Sequence, residues 1–444
     1  MNTRKNPKFT IVGAGLSGAL MAGYLAKAGY VVQMFEKLPD PRGGDAPAGR
    51  SINLAISTRG IHALEELGIA DEVLASAVPM RGRMMHAESG ELTFQPYGTA
   101  KHHVINSVSR AGLNIALLNV ASKYANTELR FNQICTGADL DAASVEITNG
   151  TSDERHMVQG DIVIGSDGAF SVVRGQMVHL DRFNFSRDYL THGYKELIIP
   201  PAPGGGFRLE QNALHIWPRG GFMMIALPNF DGSYTCTLFW PFEGEVSFGT
   251  VTTEEDISRV FERHFSDAVC HMPTLLEDFQ NNPTSSLATV RCSPWYYKDK
   301  VVLLGDAAHA VVPFYGQGMN ASFEDCTALN ECIREHAPDW ERTFAAYHRL
   351  RKENVDALAD LAVSNFIEMR DQVGSARFLW KKRSERILAR LLPTWFVPLY
   401  TMISFSRIPY AEAVRRAKKQ DRVVGFILGL LLVMIVIAVA WLLT

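Results

Sequence analysis

Two kinds of hydrophobic pattern divide the chain. Short, mostly apolar runs recur at residues 9–12 (FTIV), 31–35, 161–165 (DIVIG) and 300–305 (KVVLLG). Runs of this length, bounded by glycine or a turn, suit parallel strands covered on both faces. Between the first two, residues 13–29 set Leu16, Ala19, Leu20, Tyr24 and Leu25 at helical spacing, which makes a βαβ opening. Residues 192–200, 213–219, 222–228 and 233–242 differ: they are β-rich runs parted by Gly, Pro and Asn turns. That is the texture of an antiparallel sheet inserted between pieces of the parallel one. From 324 to 370 the period becomes helical, with Phe344, Tyr347, Leu350, Val355, Leu358, Leu361 and Ile367 on one apolar stripe. Residues 400–410 are apolar but broken, and read equally as a buried helix end or as a segment beside a membrane surface.

The C-terminal end carries the longest apolar run. Residues 423–443 hold no charged side chain; about 21 residues at ~1.5 Å each give ~31 Å, close to the ~30 Å hydrocarbon thickness. Arg415, Arg416, Lys418, Lys419 and Arg422 precede it, relieved only by Asp421. Positive flanks stay on the cytoplasmic side. The expectation is one transmembrane helix, a single-pass C-terminal anchor with the catalytic body on the cytoplasmic side of a membrane; a buried core helix is the alternative. Residues 1–8 are short and polar and show no secretory signal.

The expected fold class is α/β: a Rossmann-like nucleotide-binding domain with an inserted antiparallel β-sheet substrate domain, a C-terminal helical segment and the anchor. The expected segments are 1–180 for the nucleotide-binding pieces, with substrate residues near 80–100, then 181–295 for the inserted sheet. Residues 296–370 return as helices to the first domain, 371–422 form the helical C-terminal segment, and 423–443 the anchor. Composition narrows function mainly by exclusion. The 444 residues are 47% hydrophobic and 20% charged with a net charge of -3, which describes a globular protein and no nucleic-acid partner. Six cysteines with no CxxC pair fit neither a disulfide framework nor a zinc site, so no metal is expected and a reducing compartment is.

The chemistry begins at Gly13-Ala14-Gly15-Leu16-Ser17-Gly18, directly after a strand and opening a helix. Gly13 permits the tight turn, Gly15 lets backbone approach a pyrophosphate, and Gly18 allows close helix–strand packing. The helix start offers free N–H groups to the phosphates. Alone, such a turn is as readily structural. Glu36, about 20 residues on at the end of the second strand, can accept hydrogen bonds from ribose hydroxyls, and the pair favours a bound dinucleotide.

Residues 161–174 (DIVIGSDGAFSVVR) and 301–309 (VVLLGDAAH) resemble the DG and GD segments of aromatic-ring flavoprotein hydroxylases. The resemblance implies FAD, held tightly without a covalent bond, with Asp167 and Lys37 among its contacts and Asp306 on the ribityl chain. It implies further contacts at Ala55 and Arg110, the alternative for Arg110 being a surface ion pair, worth little by itself. Residues 316–320 (GQGMN) would bring Gly318, Met319 and Asn320 against the flavin ring, where helix-start donors stabilise negative charge. No second GxGxxG appears, so NADPH would dock transiently, reduce the flavin and leave.

The likeness narrows further at 50–55 (RSINLA), 79–84, 96–98, 192–197, 215–219, 365–370 (NFIEMR) and 398–402. Over residues 8 to about 417 the chain resembles the members of that family that hydroxylate L-kynurenine with NADPH and dioxygen, in the kynurenine pathway of tryptophan degradation. Gly82 and Ser322 depart from some relatives without touching the chemistry. By that resemblance Arg83, Tyr97, Asn365 and Tyr400 hold the amino-acid end of the substrate, and Phe314 and Phe239 form an apolar wall. A guanidinium suits an α-carboxylate because it gives two parallel charge-assisted hydrogen bonds. Without the resemblance, Arg83 would read as an exposed charge and the tyrosines as core. An aniline ring is electron-rich, so no catalytic side chain is named and His309 is read as structural. Two rivals stay open: a membrane-anchored FAD reductase or dehydrogenase of a lipid-soluble substrate, and a flavin-binding adaptor without turnover.

Overall fold

The computed structural model describes residues 6–43, 53–98, 100, 103–368, 376–392 and 395–442. Arg50, Ser51 and Ile52 of the RSINLA stretch, Met369 and Arg370 of NFIEMR, residues 1–5 and Leu443 lie outside them.

The four apolar runs lie side by side. A six-stranded sheet has the order Tyr296–Tyr297, Val301–Leu303, Ile162–Gly165, Lys8–Val12, Val31–Phe35, Thr127–Arg130. All its pairings are parallel except the first, at one edge. The helices Leu16–Lys27 and Gly318–His336 pack with this sheet into one core, in which Phe9, Ile11, Leu20, Leu25, Val302 and Phe323 are fully buried. Burial on both sides explains why these strands contain hardly a polar residue.

The second large sheet has seven strands in the order Ser285–Ser293, Asn184–Ile199, Tyr234–Pro241, Met223–Pro228, Ala213–Pro218, Gly82–His86, Leu92–Pro96. It recruits two strands from before residue 100, and Gly82–His86 joins it parallel to Ala213–Pro218 while its other pairings are antiparallel. That parallel join puts Arg83 level with Leu214. Alternation then sorts the faces. Trp217, Met224, Leu238 and Leu197 pack against the helices Glu254–His264 and Leu275–Asn281. Ile216, Met223 and Phe239 look the other way, onto Phe314, Phe366, Met402 and Tyr410.

The helical region of 324–370 is two helices, Gly318–His336 and Trp340–Ile367. Pro338 parts them, since it lacks the N–H a continuing helix needs. Residues 400–410 resolve as a buried helix end: Leu399–Ser404 is a short helix with Met402 and Ile403 buried, and Tyr410 is fully enclosed.

The C-terminal reading needs correction. Among the described residues no helix is long and apolar enough to cross a membrane, which overturns the expected transmembrane helix and the membrane placement that followed from it. The apolar run forms no helix of its own. It continues a 33-residue helix, Tyr410–Leu442, whose first turns carry Glu412, Arg415, Arg416, Lys418, Lys419, Asp421 and Arg422. Those turns are tied to the body by Tyr410, by Ala413 in the core and by an Arg415–Glu353 ion pair at 2.7 Å.

Candidate active site

Three loops converge above the carboxyl ends of the parallel strands. Gly13 has φ +98°, and a Cβ there would lie 2.6 Å from the Ser166 carbonyl oxygen. A Cβ on Gly18 would lie 2.0 Å from the Gly13 carbonyl oxygen, so both positions admit only glycine. Gly15 is the opposite case: it is exposed, and nothing lies within 4 Å of where its Cβ would be. Ser17, on the next turn, closes against Gly305, since a Cβ on Gly305 would fall 2.6 Å from the Ser17 Oγ. The phosphate-type turn and the GD segment therefore form one wall.

Asp306 on that wall is open to solvent-sized molecules, yet the protein around it raises its carboxyl above the usual carboxylate range, with His309 and Arg110 acting the other way. A group both accessible and desolvated lines a cleft. The exposed Arg110 lies within electrostatic reach of this carboxylate, at the start of the helix Arg110–Ser122. Asp167 donates nothing to the cleft floor but accepts from the Val172 and Val173 amides through Oδ2, at 2.6 and 3.3 Å. Its Oδ1 is buried and has no hydrogen-bond partner among the described residues, and burial raises the carboxyl's pKa.

Two helices point uncapped N-termini into this region. Neither Gly15 before Leu16–Lys27 nor Gln317 before Gly318–His336 supplies a side-chain cap, so N–H groups there are free for a ligand. Open space at Gly15, the orphaned Asp167 oxygen and these two helix starts fit a dinucleotide and a flavin ring. Glu36 sits beside the first turn, its carboxylate accepting from the Ala14 amide at 2.7 Å and the Leu38 amide at 3.0 Å.

Two of the expected cofactor residues behave differently. Lys37 is exposed and makes no ion pair among the described residues. Asn320 is fully buried, and its side chain is spent on the protein: Oδ1 accepts from the Ser57 amide (2.9 Å), while Nδ2 donates to the Ala55 and Gly316 carbonyls (2.8 and 3.1 Å). It holds Ala55 beside the helix start rather than offering itself to a ligand. Met319 is half-buried next to it.

The residues expected to hold the substrate gather on the face of the seven-stranded sheet opposite the helices Glu254–His264 and Leu275–Asn281. The Tyr97 and Tyr400 rings stack with centroids 5.5 Å apart, and the Arg83 guanidinium carbon lies 4.8 Å from the Tyr400 centroid and 5.9 Å from that of Tyr97. Arg83 Nε is buried without a hydrogen-bond partner, and no ion pair links Arg83 to a carboxylate among the described residues. Burial pushes the Tyr97 and Tyr315 phenols far up, so both stay neutral at working pH. Phe314 stacks on Phe366 at 4.1 Å and packs against Phe239 at 4.9 Å. Asn365 donates to the Phe314 carbonyl at 2.6 Å, which fixes that wall.

Tyr315 and Phe366 were not foreseen. Tyr315 packs 5.6 Å from Tyr400 and follows Phe314, so it joins the arginine cluster to the aromatic wall. Their only signal was adjacency to Phe314 and Asn365. His309, as read, is structural: its Nε2 meets Asp325 Oδ2 at 2.5 Å, and Arg351 Nε holds the other Asp325 oxygen at 2.7 Å.

A dinucleotide cradle, a second helix start above it and a cationic aromatic pocket across the cleft define a flavin-dependent aromatic-ring monooxygenase. The FAD binding domain family matches residues 8–362. The kynurenine 3-monooxygenase of Myxococcus xanthus is 45% identical over 425 residues, covering 96% of this chain and 91% of that one. That of Dictyostelium discoideum is also 45% identical over 425 residues, covering 93% and 91%. Among solved structures, 2-methyl-3-hydroxypyridine-5-carboxylic acid oxygenase superposes with a TM-score of 0.67 at 19% identity, over 86% of this chain and 97% of the other, a likeness of fold. The chain belongs to the kynurenine 3-monooxygenase family.

Proposed function

We infer that this chain is an NADPH- and dioxygen-dependent flavoprotein monooxygenase that converts L-kynurenine to 3-hydroxykynurenine. FAD held by the Gly13–Gly18 turn and the start of Gly318–His336 would supply the activation of dioxygen with two electrons from NADPH, one oxygen atom ending on the ring and the other in water. The side chains do the rest. Arg83 takes the substrate α-carboxylate in two charge-assisted hydrogen bonds. Tyr97 and Tyr400 lie against the guanidinium, and their hydroxyls orient the amino-acid end. Phe239, Phe314 and Phe366 keep water from the ring and set its plane. The aniline activates its own ring, so no side-chain base is needed. The N–H groups opening Gly318–His336 favour negative charge where the flavin ring would lie.

The observation that carries this reading is Arg83: a partly buried guanidinium against the Tyr97 and Tyr400 rings, its Nε without a hydrogen-bond partner and no carboxylate paired with it among the described residues, although a charge taken from water is normally paired. A lipid-soluble substrate has no use for such a group, which tells against the reductase reading. The test follows NADPH oxidation and hydroxylated product together in FAD-loaded protein, with and without L-kynurenine. Stimulated oxidation matched by 3-hydroxykynurenine is expected; oxidation indifferent to kynurenine sinks the substrate assignment.

A further inference from the structure

Arg59 stands in the first turn of the helix Thr58–Leu67, directly after Ser57, whose amide is held by Asn320 and whose hydroxyl accepts from Gln317. Its side chain is 1% exposed and spends every branch. Nε donates to Glu324 Oε1 at 3.0 Å, while Nη1 and Nη2 donate to the carbonyls of Ile403 and Ile408. The guanidinium carbon lies 4.0 Å from the centre of the Tyr410 ring, and the Tyr410 hydroxyl donates to Gln317 at 3.2 Å.

Those two carbonyls belong to the segment that carries Tyr400. Ile403 is in the last turn of Leu399–Ser404, where helix carbonyls have no intrahelical partner and the dipole favours a cation. Ile408 is in the turn leading to the last helix. We propose that Arg59 is a positioning residue for the substrate pocket, clamping the Tyr400 helix onto the flavin-binding body through backbone carbonyls more than 340 residues away in the chain. Glu324 is also bonded by Arg351, so it stays paired when Arg59 is changed. The clamp makes the distance between Tyr400 and Arg83 depend on a side chain that touches neither substrate nor cofactor.

This inference rests on Tyr400 contacting substrate, so its test has one arm that needs no turnover. Full-length, FAD-loaded Arg59→Lys keeps a charge for Glu324 but cannot reach both carbonyls. FAD content and substrate-free NADPH oxidation are expected to stay at wild-type values. KM for L-kynurenine should rise about ten-fold, from two lost hydrogen bonds, with a falling yield of product per NADPH. Backbone hydrogen exchange should speed up in 399–410 and not in 8–35. Unchanged KM and unchanged exchange at 399–410 overturn the proposal, as does a loss of FAD in step with the rise in KM. If Arg59→Lys does not fold, Tyr410→Leu removes the ring under the guanidinium without removing charge. It must raise KM and exchange at 399–410 likewise, and wild-type values there also overturn the proposal. Wild-type protein that ignores kynurenine would sink the functional reading, while the exchange arm still decides on the clamp.

Discussion

The Arg83 guanidinium lies 4.8 Å from the centre of the Tyr400 ring, although the two residues come from a strand of the β-sheet and from a helix near the other end of the chain. Both phenol rings lie against the guanidinium, 4.8 Å and 5.9 Å from its carbon to the ring centres. A cation over an aromatic face contributes ~0.5–2 kcal/mol, more as water is excluded.

Arg83→Lys keeps the charge and loses the fork. The ammonium cannot form two parallel bonds to a carboxylate, and one charge-assisted bond is worth ~1.5–3 kcal/mol, so KM for L-kynurenine should rise ~10- to 100-fold. FAD content should be unchanged, because Arg83 lies across the cleft from the cradle. Steady-state kinetics with a flavin absorbance spectrum decide it, and a variant with wild-type KM removes Arg83 from the site.

Tyr400→Phe and Tyr400→Leu separate hydroxyl from ring. Phe keeps the stack on Tyr97 and the face offered to Arg83, and should cost a few-fold in KM, about the worth of one neutral hydrogen bond. Leu also forfeits the cation–aromatic contact and should lose a further ~2- to 30-fold. Equal KM values for the two would mean that the ring contributes nothing.

Gly15→Val tests the cradle without crowding the protein. Nothing lies within 4 Å of the new Cβ, so the fold should hold while the side chain blocks the approach of a pyrophosphate. Purified variant is expected to be colourless with near wild-type circular dichroism. Full FAD occupancy would refute the cradle.

Acid should weaken the substrate sheet through His215. Burial lowers its pKa to about 4; His86 adds to this, while the Glu210 carbonyl bond and Asp267 oppose it. The ring is 1% exposed, and is bonded to His86 at 2.8 Å and to the Glu210 carbonyl at 2.8 Å. Below the unfolded value of ~6.5 the unfolded chain binds this proton and the folded one does not. The contribution is therefore complete above about pH 6.5 and is lost as pH falls toward 4, on the order of 3 kcal/mol. Thermal melts from pH 7 to 4.5 should fall less steeply for His215→Gln than for wild type. Coincident slopes would assign the acid sensitivity elsewhere.

The cofactor side was largely legible along the chain because its signals are local. Gly13, Gly15 and Gly18 are set by backbone geometry within one turn, and the helix after them needs only its own 3.6-residue period. Asp306 and the helix start at Gly318 were named through family likeness, carried by the strand and turn that precede them. Asn320 shows the limit: its side-chain amide serves the Ala55 and Ser57 backbone, and nothing local says so.

The substrate side was legible only through family likeness. By itself the sequence determined which short apolar runs become buried strands, where the phosphate turn falls, and that an antiparallel sheet interrupts the nucleotide-binding core. Only the tertiary structure decided that Gly82–His86 pairs with Ala213–Pro218, that Arg83 meets Tyr97 and Tyr400, and that Arg59 reaches Ile403 and Ile408. It also decided that the C-terminal apolar run continues a charged, docked helix. The reason is physical: periodicity reports which face of an element is buried, whereas the identity of what covers that face depends on contacts between residues hundreds of positions apart, and no local pattern encodes them.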